Sequence, residues 1–316
     1  MASSTYAETP ERAQSVPSGL SVTDLLLLCM ALIWGVNFIV VKFATGVFAP
    51  LAFNSVRISL AVAVLWAIVL VRGQALPVRR DVLGMLAIGV LGNGLYQILW
   101  VEGMARTRAS DASLLVAASP AFIEIIGWAR GNERVGVRGV VGIAISLVGI
   151  GLVVSGSANS GVGHSTWSGN AFILTSVLCW AVYSVGLKPY TERVDGLTLS
   201  AVTMTGGVVP MLIVATPSLL ATKWGAVSNA GWAAVLYSGI LALVVAYLFW
   251  YRGVRVLGPT RASMYSNLQP LFAMTAAWFV LSESPRATQL AGAACIIGGL
   301  LLTRLPGRQA AMAPCE

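Results

Sequence analysis

Charged side chains are scarce in this sequence, where Asp, Glu, Lys and Arg together make up 10% of the 316 residues. Soluble domains carry about a quarter of their residues as charges. Apolar residues account for 57% of the chain. This balance excludes an ordinary soluble domain and predicts an all-α protein that crosses a membrane many times.

Acid-base and metal-binding side chains are scarcer still. The single histidine, His164, falls in a stretch rich in Ser and Gly, and the four cysteines have neither disulfide nor metal-ligand spacing. An intramembrane enzyme would need such groups clustered, or a nucleophile with a base in reach. We therefore predict that the protein is not an enzyme and holds no metal and no cofactor.

Long polar loops are also missing, which leaves no room for a soluble catalytic or nucleotide-binding domain between the apolar segments. Stretches of about 20 apolar residues are long enough to cross a hydrocarbon core of about 30 Å. Ten are predicted to be transmembrane helices, at residues 22–43, 48–71, 81–103, 109–129, 136–155, 167–187, 197–219, 231–251, 260–281 and 287–303.

The basic residues are distributed unevenly between the two sides of the predicted membrane. Fourteen Lys and Arg residues share a side with the N-terminus, five lie opposite, and Arg57 falls inside the second helix. Because Lys and Arg resist translocation, both termini are predicted to be cytoplasmic. The net charge of +8 is then a topology signal rather than a nucleic-acid or anionic-lipid surface.

The sequence repeats itself at an offset of 150 residues. Trp100 returns as Trp250, Pro120 as Pro270, and Glu133 as Glu283. Each repeat holds five helices, and an odd number forces the second copy to enter the membrane upside down. Inverted repeats of this kind are typical of secondary transporters that work by alternating access around a mid-membrane site. The predicted regions are a disordered cytoplasmic N-terminus (1–20), repeat one (21–155), an external linker (156–166), repeat two (167–303) and a cytoplasmic tail (304–316).

The two repeats resemble the EamA domain of the drug/metabolite transporter (DMT) superfamily. The resemblance rests on an Ala-Ser pair, a proline, an Asn/Ser-Glu pair and a glycine-rich helix, present as Ala112-Ser113, Pro120, Asn132-Glu133 and Gly142 to Gly149, and again 150 residues later. The stretch from Trp34 to Phe38 fits the same family, and so does Arg57. Within it, the sequence is most similar to bacterial YddG-type exporters of aromatic amino acids.

That resemblance implies an exporter of small amphipathic metabolites in the bacterial inner membrane, with aromatic amino acids as the first choice of substrate. Other amino acids, flavins, purines and drugs are the alternatives within the superfamily. A non-transporting receptor or scaffold is the alternative from another class. The expected partners are a small-molecule substrate and the lipid bilayer, without nucleic acid, and the chain is expected to be a monomer or a homodimer.

A polar stripe on the third helix predicts a water-filled cavity. Asn93, Tyr96, Gln97 and Trp100 follow the spacing i, i+3, i+4 and i+7, which puts two amides on one face. Unpaired amides are costly in hydrocarbon, so this face should line a cavity, unless it forms hydrogen bonds between helices. Other candidates for the cavity are polar or aromatic residues of neighbouring helices, namely Asn37, Phe38, Ser119, Trp180, Tyr183, Tyr247, Tyr265, Ser266 and Gln269.

Prolines and buried charges supply candidates for movement and energy coupling. Pro120 and Pro270 are predicted hinges, with a static kink as the alternative. Glu124 and Arg57 lie inside predicted helices, where an ion is a functional hypothesis by default. Glu133 and Glu283 are predicted to cap the fifth and tenth helices. The glycines at 142, 149, 292 and 299 predict a tight seam between those helices, within the molecule or at a dimer interface.

Overall fold

A computed structural model describes residues 21–130, 137–158 and 166–304 of the chain. Within these residues there is no strand, and the helices form ten rods. They are α1 (Val22–Val47), α2 (Pro50–Val71), α3 (Arg79–Arg106), α4 (Ala109–Ala129), α5 (Val137–Ala158), α6 (Trp167–Arg193), α7 (Gly196–Ala221), α8 (Asn229–Leu257), α9 (Pro259–Tyr265 and Gln269–Leu281) and α10 (Ala287–Arg304). This arrangement confirms the predicted all-α membrane fold of ten helices in two inverted five-helix repeats.

Eight of the rods, α1 to α8, are long and apolar enough to cross a membrane. The apolar part of α10 is shorter, at Ala287–Gly299, and a 3-10 turn at Ser266–Leu268 interrupts α9. Several rods extend beyond the predicted apolar stretches. In α3, for example, Arg79 and Arg106 are still helical, because long charged side chains reach water from the ends of a membrane helix.

The rods alternate in direction, so each end of the bundle collects a particular set of helix termini. At the end where α1 begins, here called the Val22 end, Asp24 accepts a hydrogen bond from the hydroxyl of Tyr265 near the start of α9. At the opposite end, the Val47 end, Lys42 Nζ donates to the carbonyl oxygens of Met104 and Ala105 at 3.1 and 3.3 Å. A cation at the last turn of α3 is favoured by the negative end of the helix dipole.

Glu283 does not cap α10, so that prediction was wrong. Its carboxylate accepts hydrogen bonds from the backbone N–H groups of Ala109 and Ser110 at 3.2 and 3.1 Å, and lies 3.5 Å from Arg108 Nε. Glu283 thus caps the first turn of α4, where unpaired N–H groups and the helix dipole favour a negative charge. Its repeat mate Glu133 lies outside the described residues.

Both α3 and α8 contain a stretch of π-helix, which the sequence analysis did not predict. The stretches are Val90–Leu95 and Tyr237–Val245. Adding the repeat offset of 150 to 90–95 gives 240–245, so the two stretches are equivalent in the two repeats. A π turn holds more residues than an α turn and therefore changes which way the following side chains face.

The predicted proline sites coincide with interruptions in α4 and α9. Pro120 lies in the first turn of the segment Ser119–Ala129, and Pro270 in the first turn of Gln269–Leu281. Proline cannot donate to the carbonyl four residues earlier and disfavours helix at the preceding residue. Ser119 Oγ donates to the carbonyl of Val116, which satisfies one of the freed oxygens. This bond suits a static kink, and the hinge role remains a prediction.

The glycine seam lies within the molecule, between α5 and α10. A Cβ built on Gly149 would lie 2.7 Å from the carbonyl oxygen of Gly292, and a Cβ on Gly292 would lie 2.8 Å from the carbonyl oxygen of Gly149. Ser146 Oγ donates to the carbonyl of Ile296 across the same contact at 3.3 Å. The two last helices of the repeats therefore pack backbone against backbone, as small residues allow in membranes.

We expect Gly149→Ala to destabilise the protein, because the added methyl group would push α5 and α10 apart. Overpacking of this kind costs about 1–3 kcal/mol. Gly151→Ala is the matched control, since a Cβ at Gly151 meets nothing within 4 Å and alanine favours the helix. The measurement is the free energy of unfolding of both variants in detergent, and equal stabilities would contradict the tight seam.

Candidate functional site

A cavity lies at the centre of the bundle, between the two repeats. Its volume is about 50 Å³. That is room for a few waters and less than the roughly 300–1,000 Å³ of an ordinary small-molecule site. The lining residues come from α1, α2, α3 and α4 of repeat one and from α6, α8 and α9 of repeat two, and are Trp34, Asn37, Phe38, Arg57, Tyr96, Gln97, Trp100, Val116, Ser119, Val177, Trp180, Ala242, Leu243, Tyr247, Ser266 and Gln269.

Most of the side chains predicted for a cavity come together here, although what they bind stays a prediction. Ten predicted candidates line it, namely Asn37, Phe38, Tyr96, Gln97, Trp100, Ser119, Trp180, Tyr247, Ser266 and Gln269. Asn93, Tyr183 and Tyr265 do not. Of the two predicted coupling residues, Arg57 lines the cavity, whereas Glu124 lies half-buried in the second segment of α4, outside the lining.

Asn93 departs from the predicted stripe because it falls within the π stretch of α3. It is fully buried, and its Nδ2 lies 3.4 Å from the hydroxyl of Tyr183. That hydroxyl is 2.6 Å from the hydroxyl of Tyr251. Asn93 and Tyr183 thus belong to a separate buried polar cluster, nearer the Val22 end than the cavity.

Tyr265 also takes a different place from the one predicted. Its hydroxyl donates to the carboxylate of Asp24 in the first turn of α1. Tyr265 is the last residue before the 3-10 turn of α9, while Ser266 and Gln269 follow it and line the cavity. The interruption of the helix turns Ser266 and Gln269 away from the direction of Tyr265. A prediction that assumes a continuous helix does not include this turn.

The guanidinium group of Arg57 is the buried charge of the cavity. Arg57 is 1% exposed and donates to three neutral oxygens, Asn54 Oδ1, Ser238 Oγ and Gln97 Oε1, each at 2.7 Å. Its Cζ also lies 5.2 Å from the ring centre of Trp100. No carboxylate among the described residues forms an ion pair with it. The positive charge is therefore solvated by dipoles and a ring, without a counterion.

A second layer of hydrogen bonds orients the acceptors of Arg57. Ser238 Oγ donates to Asn37 Oδ1 at 2.7 Å, and Asn54 Nδ2 donates to the backbone oxygen of Gln97 at 2.9 Å. Gln97 Nε2 lies 3.5 Å from the hydroxyl of Tyr247. The network joins α1, α2, α3 and α8, so the two repeats meet around one cation. Such a network fixes its members because each unpaired group would be costly in a low dielectric.

Aromatic rings form the rest of the wall. Trp34 makes edge contacts with Trp180 and Tyr247, with ring centres 5.8 and 5.7 Å apart, and Phe38 meets Trp100 at 5.8 Å. The indole N–H of Trp34 donates to the carbonyl of Ala242, inside the π stretch of α8, at 2.9 Å. Such rings provide a large apolar surface with preferred edge and face contacts.

Five lining residues are not among the cavity candidates predicted from the sequence, namely Trp34, Val116, Val177, Ala242 and Leu243. Trp34 could have been found, because it is three and four residues before Asn37 and Phe38 on the same helix face. The other four are ordinary apolar residues that no chemical signal distinguishes. Trp250 and Tyr251, next to Arg252 near the end of α8, are 0% and 1% exposed and therefore do not face lipid.

The indole N–H of Trp100 has no acceptor among the described residues, although it is buried. A buried donor without a partner is rare enough to need an explanation. Trp100 lines the cavity beside the Arg57 guanidinium. The cavity therefore carries a full positive charge and an unused donor close together, which is an arrangement suited to an anionic group.

Comparison with known proteins also indicates a transporter. A sequence model of the EamA-like transporter family matches residues 21–155 and 167–305. An uncharacterized transporter of Archaeoglobus fulgidus is 29% identical over 90% of this chain and 97% of its own, and the uncharacterized transporter YyaM of Bacillus subtilis is 25% identical over 88% and 92%. A probable terminal-alkyne amino-acid exporter of Streptantibioticus cattleyicolor is 27% identical over 73% and 75%.

A solved crystal structure has the same fold. It superposes with a TM-score of 0.64 over 91% of this chain and 99% of its own, at 20% sequence identity. At that identity the likeness concerns the fold alone.

We expect Asn54→Leu to lower the stability of the protein more in the native background than in an Arg57→Met background. In the native background it leaves a guanidinium N–H buried without an acceptor, a loss of about 1–3 kcal/mol. When Arg57 is already methionine, no unpaired charge remains. The measurement is a double-mutant cycle of unfolding free energies in detergent. Additive effects would show that the Asn54 to Arg57 bond does not stabilise the fold.

Proposed function

We propose that this chain, which belongs to the EamA-like transporter family, exports small amphipathic carboxylates, aromatic amino acids first, by alternating access around the central cavity. That it is a membrane-embedded transporter follows from the family. The substrate, the direction of transport and the placing of both termini in the cytoplasm of a bacterial inner membrane are our proposals.

The observation that carries the substrate proposal is the buried Arg57, which has no counterion among the residues that the structure describes. A charge in the membrane interior is costly unless it is paired. The carboxylate of a substrate would supply the missing negative charge, and Arg binds carboxylates with two parallel hydrogen bonds. The free indole N–H of Trp100 offers a further donor to the same group.

The remaining lining residues suit the ammonium group and the side chain of an amino acid. Ser119, Ser266 and Gln269 offer neutral oxygens to an ammonium group on the α4 and α9 side of the cavity. The rings of Trp34, Phe38 and Trp180 offer an apolar wall to a side chain, and aromatic side chains make favourable edge contacts with such rings. The relative from Streptantibioticus cattleyicolor, described as an amino-acid exporter, supports this substrate class.

The small volume of the cavity requires movement. At about 50 Å³ it does not hold an aromatic amino acid, so the lining must separate when substrate enters. The interrupted helices α4 and α9 contribute Ser119, Ser266 and Gln269 at their breaks, which makes them our preferred moving elements. Proton coupling through Glu124 remains a further proposal, which a Glu124→Gln variant with unchanged pH dependence of flux would contradict.

Other substrates of the superfamily fit the cavity less well. Cationic drugs would meet the uncompensated charge of Arg57 in a low dielectric, where repulsion is strong. Flavins are larger than aromatic amino acids and would need a still greater expansion of the cavity. A receptor or scaffold would have no need of a buried cation facing an internal cavity.

We expect Arg57→Met to lower phenylalanine flux in proteoliposomes about tenfold to a hundredfold at low substrate concentration, because a charge-assisted hydrogen bond of about 1.5–3 kcal/mol is lost. Phenethylamine, which lacks the carboxylate, should compete poorly with phenylalanine for the native protein. Arg106→Met is the control, since Arg106 is paired with Glu102 at the Val47 end. Unchanged flux in Arg57→Met, or strong competition by phenethylamine, would overturn the carboxylate site.

We expect Trp100→Phe to raise the KM for phenylalanine about threefold to tenfold, because the ring is kept while one neutral hydrogen bond of about 0.5–1.5 kcal/mol is lost. Trp250→Phe is the matched control. Trp250 is the repeat mate of Trp100 and also has a buried N–H without an acceptor among the described residues, but it does not line the cavity. Equal changes of KM in the two variants would show that the Trp100 N–H does not contact substrate.

A further inference from the structure

A second, larger pocket lies at the Val22 end of the bundle, between the ends of α2, α6, α7 and α8. Its volume is about 600 Å³. The buried side chain of Tyr251 forms part of its wall, and Tyr247, one turn away on α8, lines the central cavity. The two spaces share no lining residue, so the pocket is a site of its own.

Three arginines, Arg72, Arg252 and Arg255, line this pocket from the ends of α2 and α8. All three are exposed, and none of their guanidinium groups has a hydrogen-bond or ion-pair partner in the described part of the chain. The lining also includes one carboxylate, that of Asp195, whose Oδ2 accepts from the backbone N–H of Leu197 at 2.9 Å and from Gln74 Nε2 at 3.2 Å. Three guanidinium groups against one carboxylate leave the pocket with a formal charge of +2.

The wall of the pocket becomes apolar away from the arginines. Ile68 lies one helical turn before Arg72 on α2, and Leu248 lies one turn before Arg252 on α8, so both are nearer the middle of the membrane. The last residues of α2, Leu70 and Val71, are 74% and 88% exposed, as expected for a helix end that meets lipid. The pocket therefore combines a cationic mouth with an apolar strip that leads towards the hydrocarbon.

We propose that this pocket binds an anionic phospholipid, with the phosphate of the headgroup held by Arg72, Arg252 and Arg255 and an acyl chain along Ile68 and Leu248. Arginine binds phosphate oxygens with paired hydrogen bonds. Basic pockets between membrane helices favour anionic headgroups for the same reason. A soluble phosphate would use the arginines but would leave the apolar strip without an occupant. The proposal does not depend on which substrate the central cavity takes.

The test compares the thermal stability of the purified full-length protein in detergent with added phosphatidylglycerol or phosphatidylcholine. We expect phosphatidylglycerol, and not phosphatidylcholine, to raise the midpoint of unfolding, because a ligand of the folded state stabilises it. In Arg252→Gln/Arg255→Gln the apparent affinity for phosphatidylglycerol should fall about tenfold to thirtyfold, at about 1 kcal/mol for each arginine. Each variant is referred to its own midpoint in phosphatidylcholine, so a change of basal stability does not affect the comparison.

The matched control is Arg79→Gln/Arg80→Gln, which removes two exposed arginines from the same end of the bundle but outside the pocket. It should keep the response to phosphatidylglycerol. An equal loss in both double variants would show general attraction to a basic surface and would overturn the site. Inorganic phosphate alone, if it stabilised the native protein as much as phosphatidylglycerol does, would assign the pocket to a soluble phosphate and overturn the lipid proposal.

Discussion

The burial of Arg57 is the constraint on which the centre of this structure depends. A guanidinium group in the interior of a membrane protein needs hydrogen-bond acceptors on every side, and here Asn54, Gln97 and Ser238 provide them from three different helices. Asn37 holds Ser238 in turn. Since these helices belong to both repeats, the hydrogen bonds that solvate the charge of Arg57 also hold the two halves of the molecule together. The cavity is also positive, since no carboxylate of the described residues pairs with Arg57, and the proposed carboxylate substrate depends on this charge.

Irregular helices place most of the other cavity residues. The π stretches precede the aromatic segments of α3 and α8, and the interruptions of α4 and α9 precede the prolines. Each irregularity turns the side chains that follow it and leaves backbone groups outside the regular α-helical pattern, as with the carbonyl of Ala242 that Trp34 uses. Meanwhile α5 and α10 are regular and pack at glycine contacts. All four irregular helices thus contribute to the lining of the cavity, while the regular pair α5 and α10 does not.

Basic residues at the Val22 end enter two separate proposals. Their number relative to the opposite end supports the proposed orientation, which depends on charge alone. Their arrangement around a pocket is a different property, because Arg72, Arg252 and Arg255 come from two helices that are distant in the sequence. The same side chains can therefore set orientation during insertion and hold an anionic headgroup afterwards.

Composition and periodicity were enough to predict a ten-helix membrane fold with inverted repeats, since apolar length and an internal offset are properties of the sequence itself. They also found ten lining residues, because amides and rings on one helix face are excluded from lipid. The departures have a common physical origin. Asn93 lies within a π stretch and meets Tyr183, Tyr265 meets Asp24 across the bundle, and Glu283 caps a helix of the other repeat. Each outcome depends on contacts between segments far apart in the sequence, as do the hydrogen bonds of Arg57. The residues alone show which side chains need a buried polar partner. Which partner each of them takes is decided only by the packing of the helices.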